Sequence, residues 1–218
     1  MNKFILTATL FLASSAAPVR SAEVADTRAA LNVAFPREVE IALALSGGPA
    51  HLRNGATVYI YGAKGFEKAK EGTNGFTCLV NRDAFLYGAA NFKPTCWDAE
   101  GRSSYVPVML RVGELLAAGK TLEQISADID AGFAAGRFKR PARAGVAYMT
   151  AGDIKLDSAG AITSVAFPGH MMFYAPGVTS ADLGYTAEAA KADPTLPFVF
   201  DRGAGGTNLA YIIAVPHH

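Results

Sequence analysis

The sequence predicts an α+β fold: a single domain with a mostly antiparallel sheet and a central helical hairpin. Three observations support this prediction. Short segments rich in β-branched and aromatic residues, such as 56–61, are typical of strands. Residues 103–136 instead repeat their apolar side chains at helical spacing. Strand-like segments return after residue 145, so helices and strands are grouped along the chain and do not alternate.

The first element with a clear pattern is a helix expected over residues 36–46. Pro36 suits the first helical position, and Glu38 and Glu40 place negative charge near the helix N-terminus. The Gly-Gly-Pro sequence at 47–49 should end this helix.

Three strands are expected next, over residues 56–61, 66–70 and 76–80. Asn74 and Gly75 lie between the second and third strands, and this dipeptide favours the positive φ angles of a tight hairpin turn. The sequence therefore predicts an antiparallel meander in this region. Residues 83–93 show no period and are expected to form a loop.

Two antiparallel helices are expected in the middle of the chain. The first begins near Ser103 and ends at Gly119. Thr121 and Gln124 have the spacing of a capping box, so they should start the second helix. That helix should end near Gly136 and bury one apolar stripe, formed by Leu122, Ile125, Ile129 and Phe133.

The last third of the chain returns to strands. Segments 154–156 and 162–167 should form a hairpin around a turn at 157–160. Further strands are expected over residues 145–150, 171–175, 197–200 and 209–215.

Residues 1–22 are predicted to be a secretory signal peptide. Lys3 precedes an apolar run at 4–13, which is too short to span a bilayer, and small residues follow it. Cleavage fits several positions between residues 16 and 22, which leaves a single α+β domain at 23–218. We therefore expect an extracytoplasmic protein, periplasmic or secreted, with no membrane span in the mature chain.

The composition excludes several classes of protein. Half of the 218 residues are hydrophobic, 18% are charged and the net charge is +1. Such a chain is too apolar to be disordered and too neutral to be a nucleic-acid-binding protein. The one dense basic run, at 137–143, is interpreted as the solvated end of the second helix. No histidine or cysteine spacing typical of a metal site is present, so neither a metal nor another cofactor is expected.

The two cysteines, Cys78 and Cys96, are expected to form a structural disulfide. Extracytoplasmic compartments oxidise such pairs, and closing this loop would remove unfolded-chain entropy worth roughly 3 kcal/mol. In the alternative interpretation, Cys78 is a nucleophile and His170 is its general base. These two residues are therefore catalytic candidates, and no catalytic residue is assigned.

His170 follows Pro168-Gly169 and precedes an apolar strand. In one interpretation it is a loop histidine that makes only a backbone hydrogen bond. In the other it lies at the mouth of a partly apolar pocket, with Tyr174 and Arg82 as further ligand-binding residues. A small polar or acidic ligand is the partner that such a pocket predicts. Its affinity would change as the histidine titrates, at roughly pH 6–7.

Four segments of the chain resemble a family of exported bacterial proteins of unassigned function. They read EGTNGFTCLVNR (71–82), PTCWDAEG (94–101), GVAYM (145–149) and HMMFYAP (170–176). The resemblance extends to a terminal IIAVP and covers most of the chain after about residue 36. It implies export and a shared fold, but no particular activity. Where the family pattern would place proline directly before the histidine, this chain has Pro168-Gly169-His170.

Three functions are compatible with these observations. The first is an exported binding or accessory module with a disulfide-stapled fold and a shallow pocket near His170. The second is a thiol hydrolase of the amidase or peptidase type that uses Cys78 and His170. The third is a purely structural envelope protein.

Overall fold

The computed structural model describes residues 27–157 and 160–215 and shows the predicted α+β domain. The predicted signal peptide at 1–22 lies outside the described residues. Residues 27–31 are helical, and the helices that follow are α1 (Arg37–Ser46), α2 (Ala50–Arg53), α3 (Ala99–Ala117), α4 (Leu122–Ala134) and α5 (Ala187–Ala192). The strands are β1 (Thr57–Gly62), β2 (Gly65–Lys70), β3 (Thr77–Asn81), β4 (Lys93–Trp97), β5 (Val146–Met149), β6 (Asp153–Leu156), β7 (Ile162–Phe167), β8 (His170–Tyr174), β9 (Phe198–Phe200) and β10 (Tyr211–Ala214).

Eight of these strands form one sheet in the order β2-β1-β3-β4-β5-β8-β10-β9. Every neighbouring pair in it is antiparallel except β1 and β3, which run parallel. Strands β6 and β7 form the predicted hairpin as a separate two-stranded sheet. The hairpin is tied to the main sheet by reciprocal backbone hydrogen bonds between Phe92 and Ile154.

The predicted meander of the first three strands is wrong. Strand β3 does not pair with β2 but lies on the other side of β1. Asn74 does not adopt a positive φ; its side chain donates to the Leu52 carbonyl and accepts from the Phe76 amide. Only Gly75 adopts a positive φ, of 80°. The dipeptide therefore lies in a turn that is stabilised by hydrogen bonds between the Asn74 side chain and the backbone, and after it the chain continues to the other side of β1. Asparagine is common in such turns as well as in hairpin turns.

The helical hairpin of α3 and α4 is confirmed, but α3 begins four residues earlier than predicted. Asp98 caps it by accepting a hydrogen bond from the Gly101 amide at 2.9 Å. The capping box of Thr121 and Gln124 is present as predicted. Arg111 of α3 holds Asp128 of α4 through hydrogen bonds of 2.9 and 2.7 Å, which fixes the two helices relative to each other.

The helices cover opposite faces of the sheet. Gly48, just after α1, lies against the sulfur of Cys96, where a Cβ would be 3.0 Å away. The ring of Tyr105 on α3 stacks 4.5 Å from that of Tyr211 on β10. Strand side chains alternate between the two faces, so neighbours such as Cys96 and Trp97 point in opposite directions. The disulfide thus belongs to the α1 face, and Trp97 belongs to the α3 face.

Two further predictions need correction. Residues 83–93 are not simply a loop, because a 3-10 helix spans Asp83–Tyr87 and β4 begins at Lys93. His170 is not a loop residue but the first residue of β8. Cys96 and Trp97 are the last two residues of β4. In 27–157 and 160–215, no helix combines the length and apolarity that crossing a bilayer requires.

Candidate functional site

A cavity of about 260 Å³ lies against the α3 face of the sheet. Its inner wall is apolar and comes from five elements, because alternate residues of each strand point to this face. That wall is formed by Trp97, Met109, Met149, Met172, Tyr211 and Ile213. The indole N–H of Trp97 donates to the Tyr211 hydroxyl at 2.7 Å, so both aromatic rings are fixed in place.

The polar side chains of the cavity gather at one end of the sheet. Strand register explains this, because Asn81 at the end of β3 pairs with Lys93 at the start of β4. Likewise Met149 at the end of β5 pairs with His170 at the start of β8. Asp83 and Asp153, which also line the cavity, follow β3 and begin β6 near the same end. The cavity therefore has an apolar inner part and a polar end.

Lys93 and Asp83 form a buried ion pair in the cavity wall. The other carboxylate oxygen of Asp83 accepts from the Ala204 amide at 3.1 Å. Burial alone would lower the pKa of Lys93, but the nearby Asp83 and Asp153 contribute to raising it above its ordinary value. The ammonium is therefore charged at neutral pH.

His170 is only 4% exposed and lines the same cavity. Its Nδ1 lies 2.8 Å from the Pro168 carbonyl oxygen, which can only accept, so Nδ1 carries the proton. Nε2 is then an acceptor in the neutral ring, and among the described residues no hydrogen bond to it is formed. Burial lowers the pKa of His170, as does the charge of Lys93, while the Pro168 carbonyl and Asp153 oppose the shift. The ring is therefore neutral at pH 7.

Asp153 completes the polar end. Burial raises the pKa of its carboxyl above the ordinary value, against the lowering effects of Lys93 and His170, and Asp83 adds to the rise. Its carboxylate is therefore neutralised more readily than that of an ordinary aspartate.

The mouth of the cavity is aromatic and carries a cation. Tyr87 and Phe200 meet edge to face with their ring centres 5.3 Å apart. The guanidinium of the exposed Arg202 lies 5.8 and 5.7 Å from these two ring centres, and Lys93 lies 5.2 and 5.6 Å from them. Within the described parts of the chain, Arg202 has no ion-pair partner. The mouth thus carries a positive charge with which no carboxylate of the described residues forms an ion pair.

We expect the ring of His170 to titrate below its ordinary value of about 6.5. The unfolded chain binds this proton more readily than the folded one. The free energy of unfolding should therefore fall as the pH drops below about 6.5. Imidazole NMR shifts give the midpoint, and chemical denaturation between pH 7 and 5.5 gives the slope. His170→Gln should flatten this slope, and an unchanged slope would contradict the assignment.

The structure does not bring all three predicted ligand-binding residues together. His170 lines the cavity, but Tyr174 and Arg82 do not. The Tyr174 hydroxyl lies 2.9 Å from both Asp98 Oδ1 and the Val146 carbonyl oxygen, and these two acceptors share its one proton beside the start of α3. Tyr174 and Arg82 instead support the fold in this structure.

Arg82 is buried in a bidentate ion pair with Glu40 of α1. Both oxygen atoms of Glu40 lie 2.7 Å from the guanidinium. The rings of Tyr61, Phe92 and Phe35 surround it, with centres 4.5, 4.9 and 5.2 Å away. Arg82 therefore links α1 to the aromatic side chains around it.

Cys78 and Cys96 form the predicted disulfide, between residues that face each other across β3 and β4. Cys96 pairs in register with Tyr148, which pairs with Met171, so these side chains share one face of the sheet. His170, next to Met171, points to the other face, three strands from Cys78. Three strand spacings amount to roughly 14 Å. In this structure, the geometry keeps the sulfur of Cys78 out of hydrogen-bond reach of His170.

Sequence reasoning missed most of the polar end. Lys93 and Asp83 were placed in a loop, and Asp153 and Arg202 were not identified. One signal was present: Asp83 directly precedes the apolar run 84–87 and Lys93 directly follows Phe92, and a charged residue this close to a core needs a partner.

In the described residues, no group of three His, Cys, Asp or Glu side chains could hold a metal ion. The chain matches no family model, no curated protein and no solved structure. The resemblance to exported bacterial proteins therefore stays a prediction, and the site is interpreted from its own geometry.

Proposed function

We propose that the protein is an exported binding module for a small molecule with an apolar body and a polar head. The observation that carries this proposal is the division of the cavity: its inner wall is apolar, while Lys93, His170 and Asp153 gather at one end. Binding sites for small molecules have this composition, with mostly apolar walls and a few placed polar groups.

The size of the cavity favours binding over a purely structural role. Protein interiors are close-packed, and voids larger than a water molecule are few. An engineered apolar cavity of roughly 150 Å³ already binds benzene. The cavity here, of about 260 Å³, is larger and also contains a histidine nitrogen without a described partner.

Export is supported by two independent features. One is the signal-peptide pattern at 1–22, and the other is the disulfide between Cys78 and Cys96. Disulfides persist in oxidising compartments and are rare in the cytosol. No observation favours the thiol hydrolase, because both sulfur atoms are in the disulfide and lie on the face opposite His170.

A neutral fluorescent probe, N-phenyl-1-naphthylamine, tests the proposal. Trp97 is the only tryptophan and lines the cavity, so its emission reports on this site alone. We expect saturable binding with a dissociation constant on the order of 10–100 µM. Trp97 emission should fall as probe emission rises, because the bound probe accepts energy from the indole.

A matched pair of variants locates the binding. Ala166 lies on the cavity lining and is exposed, so Ala166→Phe should obstruct access without disturbing the core. Ser164→Phe adds the same ring two residues away on β7, where it does not line the cavity. The proposal fails if the probe does not bind, or if both variants bind it as well as the wild-type protein does.

A further inference from the structure

The proposed binding function leaves the chemistry of the ligand open, and the charges at the polar end indicate it. Both carboxylate oxygens of Asp83 have partners: one forms the ion pair with Lys93, and the other accepts a hydrogen bond from the Ala204 amide. Arg202 stands at the mouth without an ion-pair partner among the described residues. The ion pair accounts for Lys93 and Asp83, which leaves one cation, Arg202, and one carboxylate, Asp153, among the charged residues of the lining.

We propose that the ligand is an amphipathic carboxylate, with its head between Arg202 and Lys93 and its apolar body against the inner wall. This proposal rests on the binding function proposed above. A planar guanidinium matches a carboxylate geometrically, and the two can form parallel hydrogen bonds. Lys93 adds a second, buried cation, 5.2 and 5.6 Å from the ring centres of the same aromatic pair, Tyr87 and Phe200.

The orientation follows from the fold. The partly exposed aromatic residues Phe167, Phe198 and Phe200 mark the open side of the cavity, and Arg202 lies there. Trp97 and Met172 are almost fully buried. A ligand that entered head first would place its charge against these apolar side chains, which is unfavourable without a partner. The body therefore enters first and the head stays near the cations.

Asp153 is the one carboxylate at this end that forms no ion pair among the described residues, and it gives a second test. It lines the cavity, and the titratable groups near it are Lys93, His170 and Asp83. Replacing it with asparagine keeps the shape and removes its negative charge. Asp153→Asn should therefore tighten carboxylate binding, whereas Arg202→Gln should weaken it.

The experiment uses three ligands with the same body: 4-phenylbutyrate, 4-phenylbutanamide and 4-phenylbutylamine. Affinities come from isothermal titration calorimetry of the full mature protein, and Trp97 emission confirms the location. We expect the carboxylate to bind about tenfold more tightly than the amide, that is by about 1.4 kcal/mol, and the amine to bind most weakly. Arg202→Gln should remove most of this tenfold preference and leave amide binding unchanged. Lys139→Gln, which removes an exposed charge that does not line the cavity, should change neither affinity.

The outcomes separate the two proposals. If the amide or the amine binds as tightly as the carboxylate, the carboxylate inference is overturned while the binding function stands. An unchanged carboxylate preference in Arg202→Gln would also overturn it. If neither these ligands nor the neutral naphthylamine binds at Trp97, the binding function itself fails and the inference fails with it.

Discussion

Glu40→Ala is expected to lower the free energy of unfolding by about 3–5 kcal/mol. Glu40 is fully buried, and its carboxylate holds the buried guanidinium of Arg82 with two hydrogen bonds of 2.7 Å. Removing it leaves a cation inside the domain without a counter-charge, which costs far more than losing an exposed pair. Urea denaturation followed by circular dichroism measures the change.

Two matched variants make this result specific. Glu38→Ala removes a carboxylate from the exposed side of the same helix and should change stability by less than about 0.5 kcal/mol. The double variant Glu40→Leu/Arg82→Met replaces the pair with apolar groups and should recover much of the loss, because no buried charge remains. Equal effects of Glu38→Ala and Glu40→Ala would contradict the assigned role.

Loss of the disulfide is expected to have the second largest effect. Replacing Cys78 and Cys96 together with alanine should lower the free energy of unfolding by about 2–4 kcal/mol. The bond joins residues 18 apart in the sequence and so restricts the unfolded chain. Equilibrium denaturation of the variant and of the wild-type protein gives the difference.

Reductant supplies the control for this prediction. Wild-type protein should lose a similar amount of stability when the bond is reduced. Reductant should not change the free energy of unfolding of the double alanine variant. If the oxidised wild-type protein is no more stable than the variant, the bond does not stabilise the fold and the prediction is wrong.

The sequence predicted most elements of the fold but not how the first strands pair. A local pattern was sufficient to predict the start of α4, because the capping box of Thr121 and Gln124 spans only four residues. Local patterns failed at Asn74, whose turn depends on the Leu52 carbonyl, 22 residues away. The parallel pairing of β1 and β3 likewise depends on contacts between residues that are distant in the sequence, so no short sequence segment predicts it.

The candidate site was predicted only at His170. Its neighbours in the cavity reach it through strand register, which places Lys93 and Met149 at one end of the sheet. Arg82 and Tyr174 were reasonable candidates as polar residues beside apolar strands. Each instead binds a carboxylate, Glu40 and Asp98 respectively, that the sequence did not identify as its partner.

Methionine methyl NMR during a titration with N-phenyl-1-naphthylamine tests the central claim most directly. Met109, Met149 and Met172 line the cavity, whereas Met171 points to the opposite face of the sheet and serves as an internal control. The proposed function predicts that ring currents of the bound probe shift the three cavity methyl signals and leave that of Met171 in place. If Met171 shifts as much as the other three, or if none shifts at saturating probe, the cavity is not the binding site.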